Sequence, residues 1–198
     1  MATIHHVTLE PGKLELLAGW LPRQEWFRPG GGELVRAGGF RLDDPAGEVG
    51  IELMVVADGR DAYLVPLAYR GAPLAGAPEG ALIGTSEHAV LGTRWFYDGV
   101  QDPVVREQLA RLLRGEAVPQ MQSESDTADD SVAVAPVADA AVSAAADVAA
   151  DAVEPVVRRV LVPGGEPAAG QVVAGYTAPD GSAQRAVFVA DGRAGAAG

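Results

Sequence analysis

Three histidines and a scatter of clustered carboxylates are the side chains whose types could do acid–base or metal chemistry. His5 and His6 are adjacent. On an extended strand they point to opposite faces and cannot easily share an ion; they read as an exposed pair. Glu87-His88 puts a carboxylate beside an imidazole, with Thr85 and Ser86 close by. General acid–base work needs a third partner and a cleft. The same Gly-Thr-Ser-Glu run reads equally well as a turn with a helix-starting cap, so His88 is expected to be a structural hydrogen-bonder. Asp43, Asp44, Glu48 and Glu52 cluster in sequence, but Asp-Asp-Pro is turn chemistry, and two-carboxylate catalysis would need a sugar cleft between them. Gly30-Gly31-Gly32 and Gly164-Gly165 lack the Lys-Ser/Thr of a phosphate loop and the spacing of a dinucleotide fingerprint. Phosphoryl transfer of the kinase type uses a strand lysine; the one lysine here, Lys13, falls in an expected helix. The residues therefore point to no catalytic group, no metal site and no cofactor.

Recognition is the better use of what remains. The run Leu21-Pro22-Arg23-Gln24-Glu25-Trp26-Phe27 mixes aromatics with Arg and Gln, as contact surfaces for proteins or sugars do. Trp20 and Trp95 are expected in the core. Arg23, Gln24, Trp26 and Arg70 are the residues expected to bind a partner or ligand.

The elements that would position them follow from pattern. Pro11 suits a first helical turn; Leu14, Leu17 and Leu21 then recur at helical spacing, and Pro22 stops the helix. Strands are expected at 35–42, 49–56, 62–69 and 90–97. Gly38-Gly39 marks a bulge, Asp58-Gly59 a hairpin, and Pro66 an edge position. Asp102 is the expected N-cap of a last helix with Pro103 at its first position and Gly115 at its end. Helix, antiparallel strands, helix reads as an α+β fold: a small antiparallel sheet with N- and C-terminal helices on one face.

Charge and aromatics divide the 198 residues. Nine of eleven aromatics precede residue 98, which places the main core in a domain at 1–116. Residues 121–155 hold eight acids and no Lys or Arg. With little large apolar surface to offset ordering entropy, the stretch 117–155 reads as a disordered, acidic, Ala-rich linker, although Ala could support a transient helix over 138–153. Residues 156–198 regain strand character as a small β meander, marginal alone and so expected to dock on the first domain or to stay weakly ordered. A net charge of −12 disfavours nucleic acid and anionic membrane. No run is long and apolar enough to span a bilayer, and no signal peptide pattern opens the chain, so a cytoplasmic location is expected. With no Cys, thiolate zinc sites and Cys nucleophiles are excluded.

The run Trp20-Leu21-Pro22-Arg23-Gln24-Glu25-Trp26-Phe27 resembles the opening of the actinobacterial maltokinase N-terminal cap domain. Tyr63 to Arg70, Ala81 to Thr85, and Trp95-Phe96-Tyr97-Asp98 with Asp102-Pro103 continue the resemblance, over about residues 5–116. Fourteen Arg to one Lys fits a high-G+C genome. Maltokinases phosphorylate maltose with ATP and Mg²⁺, are similar in fold to aminoglycoside phosphotransferases, and keep their catalytic residues outside the cap. The resemblance thus implies a stand-alone, non-catalytic accessory protein that touches a protein partner, such as a glucan-metabolising enzyme of maltose, trehalose or glycogen metabolism, or else a carbohydrate. A carbohydrate- or nucleotide-binding protein, or a reduced ATP-dependent sugar kinase, is the alternative.

Overall fold

A computed structural model describes residues 9–124, 126–137 and 153–193. The chain runs β1 (Leu9–Glu10), α1 (Lys13–Trp20), β2 (Val35–Leu42), β3 (Val49–Ala57), β4 (Ala62–Arg70), β5 (Leu82–His88), β6 (Gly92–Asp98), α2 (Pro103–Leu113), β7 (Ala133–Ala135), β8 (Pro155–Val157), β9 (Gln171–Thr177) and β10 (Ala183–Asp191). All ten strands belong to one antiparallel sheet in the order β1-β5-β6-β4-β3-β2-β9-β10-β8, with β7 on β9. The α+β expectation is therefore corrected: the fold is mainly β, with two short helices. It also places the helices wrongly. α1 contributes Leu17 and Trp20 to a core with Met54, Val56, Tyr63, Val65 and Leu67. α2 contributes Val105, Leu109, Leu112 and Leu113 to a different core with Leu53, Val55, Leu64 and Phe188. Alternate residues of β3 and β4 feed the two clusters, so the helices cover opposite faces of the sheet.

The sheet misled because its last strands lie far along the sequence. β9 and β10 carry few large residues, but they supply Val172, Ala174, Tyr176, Ala186 and Phe188 to the α2-side core, where Phe40 and Phe188 stack at 6.0 Å. The chain after β8 then reaches β4: the Leu64 amide donates to the Arg159 carbonyl (2.9 Å), and the Leu161 amide to that of Ala62 (2.9 Å). The sheet thus curls until its far end meets β4. Residues 117–137, within the stretch expected to be a linker, hold the β-bridge between Gln120 and Arg41 as well as β7; residues 138–152 lie outside the described residues.

Pro66 explains how β4 serves two neighbours. Its N-terminal half pairs with residues 159–161 and its C-terminal half, from Leu67 on, with β6. Pro66, without an N–H, occupies the changeover. It is an interior strand that tolerates proline because no ladder bond is needed there. The bulge expected at Gly38-Gly39 is present as a register shift between Arg36 and Gly38. Both glycines have positive φ (144° and 120°), and a Cβ on Gly39 would run into the Leu53 carbonyl.

α2 begins and ends on the residues that pattern assigns. The Asp102 carboxylate accepts from the Val104 and Val105 amides, Pro103 takes the first position, and Gly115 follows at φ 75°. In α1 the Glu15 carboxylate reaches back to the Gly12 amide at 2.6 Å.

Candidate functional site

α1 ends in a 3₁₀ turn at Leu21–Arg23, because Pro22 has no amide to continue the helix. Leu21 and Trp20 are buried, and the Trp20 indole N–H donates to the Gly80 carbonyl at 3.1 Å. That pins the turn over the start of β5. The next side chains are left at the surface: Arg23 exposed, Gln24 half-buried, Trp26 and Phe27 half-buried. Gln24 donates to the Trp20 carbonyl at 3.3 Å.

Trp20, Arg23, Gln24, Glu79, Asp98 and Gln101 line a cleft of about 300 Å³. Asp98 is buried. One of its oxygens accepts from Arg159 Nη2 at 2.5 Å, the other from the Val100 amide. Arg159 in turn lies 5.0 Å over the Trp26 ring. Trp26 also meets Trp20 and Tyr63, each at 6.0 Å between ring centres, and Phe27 packs on Tyr63 at 4.9 Å. The Tyr63 hydroxyl donates to the Arg28 carbonyl at 2.8 Å. Burial raises its pKa above the usual value, so it stays neutral and holds the loop.

The structure brings three of the four expected contact residues together. Arg23, Gln24 and Trp26 share one surface. Arg70 does not join them. It follows Ala68 on the α2-side face of β4 and binds Asp102 through two parallel bonds, 2.6 and 2.8 Å. Asp102 is fully buried, and this pairing raises the Arg70 pKa. Arg70 locks the start of α2.

The missed residue is Arg159. It comes from the far end of the chain and completes the Trp26–Asp98 cluster, and one of its nitrogens, Nη1, is buried with no partner among the described residues. No local pattern at Arg158-Arg159 could have placed it there.

The side chains that suggested chemistry are engaged in the fold. His88 Nδ1 accepts the Val90 and Leu91 amides in the β5–β6 turn (3.2 and 3.1 Å), and Glu87 accepts from Thr93 at 2.7 Å. Asp44 accepts three amides, those of Ala46, Glu48 and Val49, and shapes the β2–β3 turn. Glu52 stands apart, buried on β3. It pairs with Lys13, lies 3.6 Å from Arg36, and accepts from Gln122 at 2.9 Å. Lys13 therefore ties α1 to the sheet. It also lies 5.1 Å from the centre of the Tyr69 ring. Among the described residues no three His, Cys, Asp or Glu gather where they could hold a metal, and no helix is long and apolar enough to cross a membrane. His5 and His6 lie outside the described residues.

No curated protein matches the chain. The maltokinase N-terminal cap domain family model matches residues 20–102 of the chain, from the last residue of α1 to the N-cap of α2.

Proposed function

We propose that the chain is a non-catalytic, cap-type accessory module of the cytoplasm that works by contact with an enzyme of maltose, trehalose or α-glucan metabolism. The family match at residues 20–102 carries this reading. The engagement of Lys13, Glu87, His88 and Asp44 in structural contacts supports it, since these are the groups that would otherwise be available for chemistry. The contact surface is Arg23, Gln24 and Trp26, held by Trp20 from below and by Arg159 from the side. The test is co-elution of the full chain with a maltokinase whose own cap has been removed. The reading expects a complex that Arg23→Glu weakens. Separate elution of the two proteins at micromolar concentrations would overturn it.

A second reading rests on the cleft beside Trp20. Arg23, Gln24, Glu79 and Gln101 present amide and charged groups around a volume that suits a small polar ligand. Titrating maltose, maltodextrin and ATP against tryptophan fluorescence tests it; flat curves at millimolar ligand dismiss it.

A further inference from the structure

Trp26, Ala62, Leu64 and Asp98 all lie within residues 20–102, the span that the family model matches; Arg159, which meets them, lies outside it. Within that span the β4 edge from Ala62 to Pro66 carries no strand on the side away from β3. Residues 158–164 fill that edge as a strap. The Leu64 amide donates to the Arg159 carbonyl and the Leu161 amide to that of Ala62, each at 2.9 Å. At either end the strap is tied to β10, the Arg158 amide donating to the Phe188 carbonyl (2.9 Å) and the Gly164 amide to that of Arg185 (2.8 Å). Its side chains hold it lightly. Leu161 alone is buried; Val160 and Val162 are 40% and 73% exposed. Arg159 fills a place made for a cation, with the buried Asp98 carboxylate on one side and the Trp26 ring on the other. Its Nη1 is nevertheless left buried without a partner among the described residues, which costs stability.

We propose that the strap occupies in cis a docking edge for an extended, basic segment of a partner protein, which would bond to Ala62 and Leu64 through its main chain and place an arginine between Asp98 and Trp26. This rests on the reading that the chain acts by protein contact; it names the partner's chemistry and makes the strap its competitor. Asp98 selects that chemistry. A buried carboxylate left without a cation is costly, so a segment that displaces Arg159 has to bring a positive charge of its own. The surroundings agree. Arg23, Arg28 and Arg60 are offset by Glu25, Glu33, Glu79 and Asp61. Departure of Arg159 therefore leaves Asp98 as excess negative charge, in a chain whose net charge of −12 attracts basic partners. The strap itself displays a fitting pattern, Arg158-Arg159-Val160-Leu161-Val162. Strand addition of this kind draws affinity from main-chain bonds and specificity from a side-chain pocket.

The probe is the fluorescein-labelled peptide Val-Val-Arg-Arg-Val-Leu-Val-Pro-Gly, copied from residues 156–164 and read by anisotropy on the full chain. Two variants of equal charge carry Gln in place of Arg158 or of Arg159. The second is expected to bind at least about tenfold more weakly than the first. Arg159→Gln in the chain itself loosens the competing strap and is expected to tighten the parent peptide at least about tenfold. Adding Asp98→Asn is expected to erase the difference between the two Gln peptides. Should these chain variants fail to fold, hydrogen exchange on the parent chain decides. With the peptide bound, the Leu161 amide is expected to lose its protection while the Leu64 amide keeps its own, now on a peptide carbonyl. Equal binding of the two Gln peptides, no binding of any peptide, unchanged protection at Leu161 in the complex, or a doubling of mass with concentration that gives the edge to a second copy would each overturn the proposal. Failure of the chain to join a maltokinase, with the peptide results intact, would remove the proposed enzyme partner and leave the docking edge standing.

Discussion

Asp98 and Arg159 meet at 2.5 Å although 61 positions separate them in sequence. Asp98 ends β6; Arg159 lies where the chain leaves β8 and reaches β4. Their side chains are largely buried, at 8% and 14% exposure, and Arg159 also covers Trp26. The proposed contact surface is thus held in place by a segment far along the chain that was least expected to matter to it.

Removing one partner should leave the other buried and uncompensated. Arg159→Ala is expected to destabilise the chain by about 2 kcal/mol and to free the Trp26 ring, shifting its fluorescence. Urea denaturation followed by tryptophan emission measures both. An unchanged midpoint would show that residues 158–161 do not hold this surface.

Lys13 and Glu52 form the corresponding tie on the α1 side. Glu52 keeps Arg36 and Gln122 nearby, so Lys13→Met alone is expected to cost about 1 kcal/mol, and Glu52→Leu alone more, because it strands Lys13 against Tyr69. The double variant is expected to recover part of the sum, with a coupling of about 1 kcal/mol. Additive losses in the denaturation cycle would mean that the pair does not join α1 to β3.

Arg70 separates stability from binding. Arg70→Ala breaks both bonds to buried Asp102 and is expected to lower stability by about 2 kcal/mol. It should leave partner binding unaltered, because Arg70 lies on the α2 side of the sheet. Equal loss of partner binding in Arg70→Ala and Arg23→Glu, measured well below the melting temperature, would return Arg70 to the contact surface.

Strands β2, β3, β4 and β6, the caps of α2 and the bulge at Gly38-Gly39 were legible because each depends on neighbours in sequence: alternation, an Asp-Pro start, a paired glycine. β5 was not, since Gly84 interrupts its alternation and its Thr85, Ser86 and Glu87 read as a turn. Docking of β9 and β10 on the first domain was one of two outcomes open to a marginal meander, but their place beside β2 in the same sheet was hidden. Their Val and Ala residues look like a marginal meander, and only the curl of the sheet gives them Phe40 and α2 to pack on. For the contact surface, the turn after α1 exposed Arg23, Gln24 and Trp26 through Pro22, a local cause. Arg70 misled because an exposed-looking arginine at a strand end gives no sign of a buried aspartate 32 positions later.

Alkaline pH should reveal the buried tyrosines. Burial raises the pKa of Tyr69, opposed by Lys13 nearby, and raises those of Tyr63 and Tyr176. A tyrosine whose folded pKa is above its unfolded value near 10 favours the folded state fully below that pH and loses this contribution as pH rises through the folded value. Melting temperature is therefore expected to be flat through pH 9 on account of these groups and to fall above pH 10. Tyr69→Phe should make the fall shallower. A variant with the same alkaline slope as the parent would show that Tyr69 ionises without hindrance.

The central claim is that the chain acts by touch and not by turnover. The direct measurement is nucleotide consumption by the purified full chain with ATP, Mg²⁺ and maltose. The account predicts no rate above a protein-free control. A steady rate that Lys13→Met or Asp98→Asn abolishes, in a variant that still melts cooperatively, would contradict it.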